Sequence, residues 1–395
     1  MHIETKVIHA GQSSEPTTGA IMPPITTSST YIQKSPGKHT GFEYSRSHNP
    51  TRYALERSIA KLESSSIKKE DDPTFGGFAF SSGMAAIASI LELLEPGSHV
   101  IAMDDMYGGT NRLFNQVRKR SQGLSFSFIN LTNISELNNT ITSKTKLIWI
   151  ETPTNPTLKV SDLKMIASIA KSHSILCAVD NTFATPILQR PIEFGCDLVM
   201  HSATKYLGGH SDAVAGVVVA STAELASKIR FIQNSCGAIL GPHDSYMVLR
   251  GIKTLGLRMQ RHCDSALILA KWLESHPLVS SVIYPGISSH PNYNVASKQM
   301  LINDQPAGGG IISVHLKTDL NGSKRFLENV EVFSLAESLG GVESLIEHPA
   351  IMTHASVSKK ERALLGISDS LIRLSVGIEH VDDLKDGLQK GFDSL

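Results

Sequence analysis

Ile175-Leu-Cys-Ala-Val179 followed by Asp180-Asn-Thr182, and Asp197-Leu-Val-Met200 followed by His201-Ser-Ala-Thr-Lys205, are apolar runs that each stop at a chemically useful side chain. Continuous rather than alternating hydrophobicity reads as strands covered on both faces, and hence as a mostly parallel sheet. Runs of the same kind recur outward from these two, at residues 77–80, 99–103, 146–150 and 216–220. Helical patterns fall between them, over 84–94 after the small polar Ser81-Ser82-Gly83 and over 161–172 with a Ser/Asp start. The repeated strand–helix order predicts an α/β domain over residues 61–255. Beyond it, 258–276 reads as one long helix and 282–284, 310–315 and 371–376 as strands, which makes residues 256–395 a smaller C-terminal α+β domain. Residues 1–60 mix Pro23-Pro24, Gly37, Gly41 and Asn49-Pro50 with little periodicity, the pattern of an extended arm contacting a neighbouring subunit.

Composition excludes several partners. The 395 residues carry 37 Lys plus Arg against 37 Asp plus Glu, a formal charge of zero, so no long-range field attracts nucleic acid or an anionic membrane. The first residues lack the apolar core of a secretory signal, and no run approaches the roughly 20 apolar residues of a membrane span. A soluble, cytoplasmic protein acting on a small molecule is the expectation. Cys177, Cys196, Cys236 and Cys263 form no C-x-x-C pair and read as free thiols. The 16 histidines contain no H-E-x-x-H, so no metal site is expected. Ser64 to Asp72 (SSSIKKEDD) reads as a solvated loop.

A parallel sheet binds ligands outside the carboxyl ends of its strands, so the residues just after each apolar run are the ones to inspect. Ser81-Ser82-Gly83-Met84 opens a helix whose free N–H groups face any phosphate placed there. Neither G-x-G-x-x-G nor G-x-x-x-x-G-K-[ST] occurs, which removes the main support for a nicotinamide or P-loop nucleotide enzyme. Asp180 puts a carboxylate at the sheet edge. Ser202 and Thr204 supply hydroxyls, and Lys205 an amine emerging from an apolar run, where desolvation favours the neutral nucleophile. Helix N–H groups and hydroxyls for phosphate, a carboxylate for a pyridine nitrogen and an amine for an aldehyde are together what pyridoxal 5'-phosphate (PLP) demands.

The segments EYSRSHNPTR (43–52), MDDMYGGTNRLF (103–114), ETPTNP (151–156), VDNTFATP (179–186), HSATKYLGGHSD (201–212), LAESLGGVESL (335–345), HPAIMTHASV (348–357) and LIRLSVGIE (371–379) run in order along nearly the whole chain. They resemble the Cys/Met-metabolism family of PLP enzymes, and the resemblance implies a fold-type I, α/β PLP-transferase-like architecture. Position by position, Lys205 resembles the Schiff-base lysine and Asp180, with Thr182 beside it, the partner of the pyridine nitrogen. Ser82, Gly83, Met84, Ser202 and Thr204 resemble the phosphate cradle, completed by Tyr44 and Arg46 from another subunit. Tyr107 matches the residue that stacks on the ring and assists proton transfer. Asn155, Ser338 and Arg373 match positions holding the substrate carboxylate, while Arg112 and Glu337 match positions at the distal end of the substrate, with Arg46 also near it.

The resemblance implies γ-elimination of L-cystathionine to L-cysteine, 2-oxobutanoate and ammonia, in a homotetramer of active-site-sharing dimers. The alternative within the family is γ-replacement of an O-acylhomoserine by cysteine, as a cystathionine γ-synthase performs; Glu337 suits both. Methionine γ-elimination fits less well, because that pattern has Cys at Gly109 and an apolar residue at Glu337. A PLP-binding protein without turnover predicts loss of Lys205, Tyr107 or Arg373, and all three are present. Two departures from the family pattern, at 63–76 and 303–310, read as surface insertions.

Overall fold

The computed structural model describes residues 1–355 and 358–395; the last two residues of the HPAIMTHASV segment lie outside the described residues. The large sheet has seven strands, β1 (Gly77–Phe80), β2 (His99–Met103), β3 (Ser125–Ile129), β4 (Thr145–Glu151), β5 (Leu176–Asp180), β6 (Leu198–Ser202) and β7 (Gly216–Ala220), in the order β1-β7-β6-β5-β4-β2-β3. Strands β2 to β6 pair in parallel, whereas β7 runs antiparallel to both β6 and β1. Alternate residues explain the unbroken hydrophobicity. Phe78, Val100, Trp149, Ala178 and Met200 pack into one layer, and Ile101, Ile148, Ile150, Cys177 and Val179 into the other.

The expected strands are all present, three of them with the same bounds and the others with ends shifted by at most three residues. The 84–94 helix is Gly83–Leu91, capped by the Ser82 hydroxyl, which accepts from the Ala85 N–H at 3.1 Å. The 161–172 helix is Leu163–Ser172, capped by Asp162, and the long helix is Leu255–Glu274.

The second sheet follows the long helix Leu255–Glu274. It comprises β8 (Val279–Ile283), then, beyond a small hairpin β9 (Leu301–Ile302) and β10 (Gln305–Pro306), β11 (Ile311–Leu316), β12 (Ser334–Leu335), β13 (Leu345–Glu347) and β14 (Leu371–Ser375). Its order is β12-β13-β14-β11-β8, antiparallel except for β12 with β13. Ser313 on β11 donates to the Pro156 carbonyl at 2.6 Å, which ties this sheet to the loop after β4.

Three local expectations change. Pro50–Leu62, within the stretch read as an arm, is a helix buried along most of its length, capped by Asn49 through the Thr51 and Arg52 N–H groups. Its apolar residues are diluted by Arg52 and Glu56, which pair at 3.4 Å in the interior and hide the helical period. The Ser64–Asp72 stretch is not simply solvated: Ser65, Ile67 and Asp72 are buried, and Asp72 takes a bidentate pair from Arg230 at 2.8–3.0 Å. Burial of an anion is tolerated here because the cation arrives from the distant helix Ala223–Cys236, a pairing no local pattern reveals. The 303–310 departure is the β9–β10 turn, with Asn303 and Asp304 both at positive φ (50° and 61°), as a two-residue hairpin requires.

Candidate active site

The carboxyl ends of β1, β4, β5 and β6, together with the segments after β2 and β12 and strand β14, converge on a cavity of about 300 Å³. Ser82, Gly83, Met84, Tyr107, Asn155, Asp180, Thr182, Ser202, Thr204, Lys205, Glu337, Ser338 and Arg373 all line it. Tyr44, Arg46 and Arg112 do not. Arg112 is exposed on the helix Gly108–Arg112, and Tyr44 and Arg46 are exposed on the arm, the guanidinium 5.7 Å from the tyrosine ring centroid.

At one end the helix Gly83–Leu91 starts. Its cap satisfies the Ala85 N–H, which leaves the Gly83 and Met84 N–H groups without an intrahelical acceptor. The approach is close: a β-carbon at Gly83 would lie 3.1 Å from the Ser202 Cβ and 3.2 Å from its hydroxyl. The Thr204 hydroxyl is exchanged with the Ala215 backbone, donating to its carbonyl at 3.2 Å and accepting from its N–H at 3.0 Å.

On the cavity floor, Asp180 Oδ1 accepts from the Thr182 hydroxyl at 2.5 Å and the Thr182 N–H at 3.1 Å, and that hydroxyl in turn accepts from the Ser202 N–H at 2.9 Å. Burial pushes the Asp180 carboxyl up, and the Thr182 hydrogen bonds oppose it. Beside it across the strand register stands Glu151, which the sequence reading did not single out. Its two oxygens accept from the Tyr107 and Asn155 N–H groups at 2.9 and 3.0 Å, so one side chain fixes the segments carrying both residues. Burial and then the neighbouring Asp180 raise the Glu151 carboxyl well above the ordinary range. The signal that could have found it is its position, last in an apolar run and first in ETPTNP.

Lys205 Nζ donates to the Ser338 hydroxyl at 2.5 Å. Burial, then the charge of Arg373, lower its ammonium from 10.5 to about 8. Arg373 is buried on β14, pairs with Glu347 at 2.8 Å, and donates to Asn155 Oδ1 at 2.9 Å and the Ser338 carbonyl at 2.6 Å. Ser338 holds φ at 87°, a left-handed value uncommon for a non-glycine residue, at the point where it contacts both cations. Glu347 was also not anticipated; as the residue before HPAIMTH it is set apart only by lying opposite Arg373 across β13 and β14.

These groups fit PLP on chemical grounds. A buried carboxylate with no basic side chain bonded to it suits a protonated ring nitrogen, free helix N–H groups suit a phosphate, and a desolvated lysine suits an aldehyde. Fold and cavity together are those of a fold-type I PLP enzyme, and PLP is its cofactor. Residues 4–393 match the model of the Cys/Met metabolism PLP-dependent enzymes, and the chain belongs to that family. It is 59% identical to a cystathionine beta-lyase of Coxiella burnetii over 98% of this chain and 97% of that protein. It is 48% identical to a cystathionine gamma-lyase of Dictyostelium discoideum, over 99% and 97% of the two chains. The crystal structure of cystathionine gamma-lyase from Lactobacillus plantarum complexed with L-serine superposes with a TM-score of 0.93 at 44% identity, over 100% of this chain and 99% of that one. Among the described residues, no helix is long and apolar enough to cross a membrane.

Proposed function

We propose that this enzyme cleaves the thioether of L-cystathionine by γ-elimination, releasing L-cysteine, 2-oxobutanoate and ammonia with consumption of one water. The observation that carries the reading is the meeting of Lys205, Asp180, Arg373 and the N-terminus of helix Gly83–Leu91 in one cavity. PLP, when bound, supplies the electron sink that acidifies the protons on Cα and Cβ. Gly83, Met84, Ser202 and Thr204 would hold its phosphate, Asp180 its ring nitrogen, Tyr107 its ring face and Lys205 its aldehyde carbon. Arg373, oriented by Asn155 and Ser338, would take the substrate α-carboxylate. Lys205 Nζ then removes the proton from substrate Cα and later the one from Cβ. Lowering its ammonium to about 8 suits an amine that must both accept and return protons near neutrality. Glu337 would face the distal ammonium, and Arg112 lies farther out, exposed at the end of its helix.

Tyr44 and Arg46 of a second copy would complete the phosphate end. Among the described lining residues the basic side chains are Lys205 and Arg373, and both are engaged at the opposite end with Ser338 and Glu347. A dianionic phosphate therefore needs a cation from outside this chain, and the exposed Arg46 is suited to supply it. A dimer is the minimum, a homotetramer the proposed assembly, and the cytoplasm the proposed location.

The relative at 59% identity named cystathionine beta-lyase favours a second reading, β-elimination to L-homocysteine, pyruvate and ammonia. Cystathionine is unsymmetrical: its four-carbon half against the cofactor gives γ-cleavage, its three-carbon half β-cleavage. The same Lys205 serves either, so the distal pocket decides. Incubation with L-cystathionine and quantification of both keto acids tests this directly. Excess 2-oxobutanoate supports γ-elimination and excess pyruvate refutes it. A faster formation of cystathionine from O-succinylhomoserine plus cysteine would instead make the enzyme a γ-synthase.

A further inference from the structure

Arg373, given the substrate carboxylate above, already has an anion against it. Glu347 stands directly opposite on the neighbouring strand, so the sheet itself holds the two side chains together. Glu347 Oε1 lies 2.8 Å from the Arg373 guanidinium and accepts from the Thr353 hydroxyl at 3.1 Å. Both residues are at most 2% exposed, and Arg373 Nε and Glu347 Oε2 are buried with no hydrogen-bond partner. The other charged groups facing this pair are Lys205 and Glu337. A carboxylate arriving at Arg373 must therefore share the guanidinium with an anion that cannot move away, in surroundings where like charges repel strongly.

We propose that Glu347 is a positioning residue that fixes the plane of Arg373 and weakens its hold on the amino-acid α-carboxylate. The inference rests on the reading of Arg373 as the carboxylate anchor. An unopposed buried arginine would bind substrate and amino-acid product alike, lowering KM without raising kcat, whereas a half-neutralised one orients the carboxylate and still releases it.

The test uses PLP-loaded enzyme titrated with glycine, which has a carboxylate, and with methylamine, which has none, following the visible absorbance of the cofactor. Glu347→Gln keeps the shape and the acceptor oxygen but removes the charge. Its half-saturating glycine concentration is expected to fall at least about five-fold, with methylamine unchanged. Thr353→Val removes the hydroxyl that draws charge from Oε1, so it is expected to shift glycine the other way, up to about two-fold weaker. Equal shifts for both ligands, weaker glycine binding in Glu347→Gln, or tighter binding in Thr353→Val would each overturn the proposal. Arg373→Met is run in parallel: if it fails to weaken glycine relative to methylamine, the carboxylate anchor itself is misassigned, a separate failure.

Discussion

Lys205 is a charged side chain placed where charge is unwelcome, and the cost can be measured. Burial and the nearby Arg373 lower its ammonium from 10.5 to about 8, which corresponds to about 3 kcal/mol of destabilisation while the lysine stays protonated. At neutral pH the folded, cofactor-free enzyme bears that full penalty. Between pH 8 and 10.5 the unfolded chain still binds a proton that the folded chain has released, so folding stability rises with pH across that window. Lys205→Met preserves most of the volume and removes the charge. In the cofactor-free protein it is expected to raise the unfolding free energy by about 2–3 kcal/mol at neutral pH, the advantage closing by about pH 10.5. Urea unfolding of both proteins at one protomer concentration, at both ends of the window, gives the difference; other titrating groups cancel in it. A gap independent of pH, or a variant less stable at neutral pH, would refute the desolvation argument. The same burial suits the amine role proposed for Lys205: at pH 7 about one Lys205 in ten is neutral, against about one in three thousand for an exposed lysine.

Asp180→Asn keeps the shape and the Thr182 contacts but loses the anion; turnover is expected to fall at least about a hundred-fold at saturating PLP while cofactor absorbance persists, a pairing read by steady-state assay and spectrum. Gly83→Val brings a branched side chain against Ser202 and Met200, so PLP affinity measured by fluorescence titration of the cofactor-free protein should drop at least about ten-fold, alongside an overpacking cost of about 1–3 kcal/mol read by thermal unfolding. Asp72→Ala leaves the half-buried Arg230 without its carboxylate and is expected to cost about 2 kcal/mol in denaturant unfolding, with kcat/KM of the folded enzyme unchanged because neither residue lines the cavity.

Six of the seven strands of the large sheet were legible because they are covered on both faces, and continuous runs such as Gly216–Ala220 leave little choice of period; the edge strand β3, exposed at Ser125 and only half-buried at Phe126 and Phe128, was not. Site residues at strand ends were legible for the same reason: once β5 and β6 are recognised, Asp180 and Lys205 fall at the carboxyl edge by construction. The helix Pro50–Leu62 was not, because its interior is stabilised by polar contacts. Glu56 accepts from the Ala79 N–H at 2.9 Å and from Gln233 at 3.1 Å, partners 23 and 177 residues away. No window of sequence contains such a pairing.

The 63–76 departure shows how far that limit reaches. Glu63, at the end of that helix, is fully buried and bonds His201 at 2.6 Å and Asn181 at 3.0 Å. Asn181 and His201 follow Asp180 and precede Ser202, and strand alternation points their side chains away from the cavity. They continue through Gln189, which donates to Asn181 at 2.9 Å, to Gln299, which donates to Gln189 at 3.0 Å. The strand ends that present Asp180 and Ser202 are thus held from behind by a buried polar chain beginning in what the sequence offered as a surface insertion. The β9–β10 hairpin contributes no cavity-lining residue, so of the two departures it is the first that bears on the candidate site, through support rather than contact.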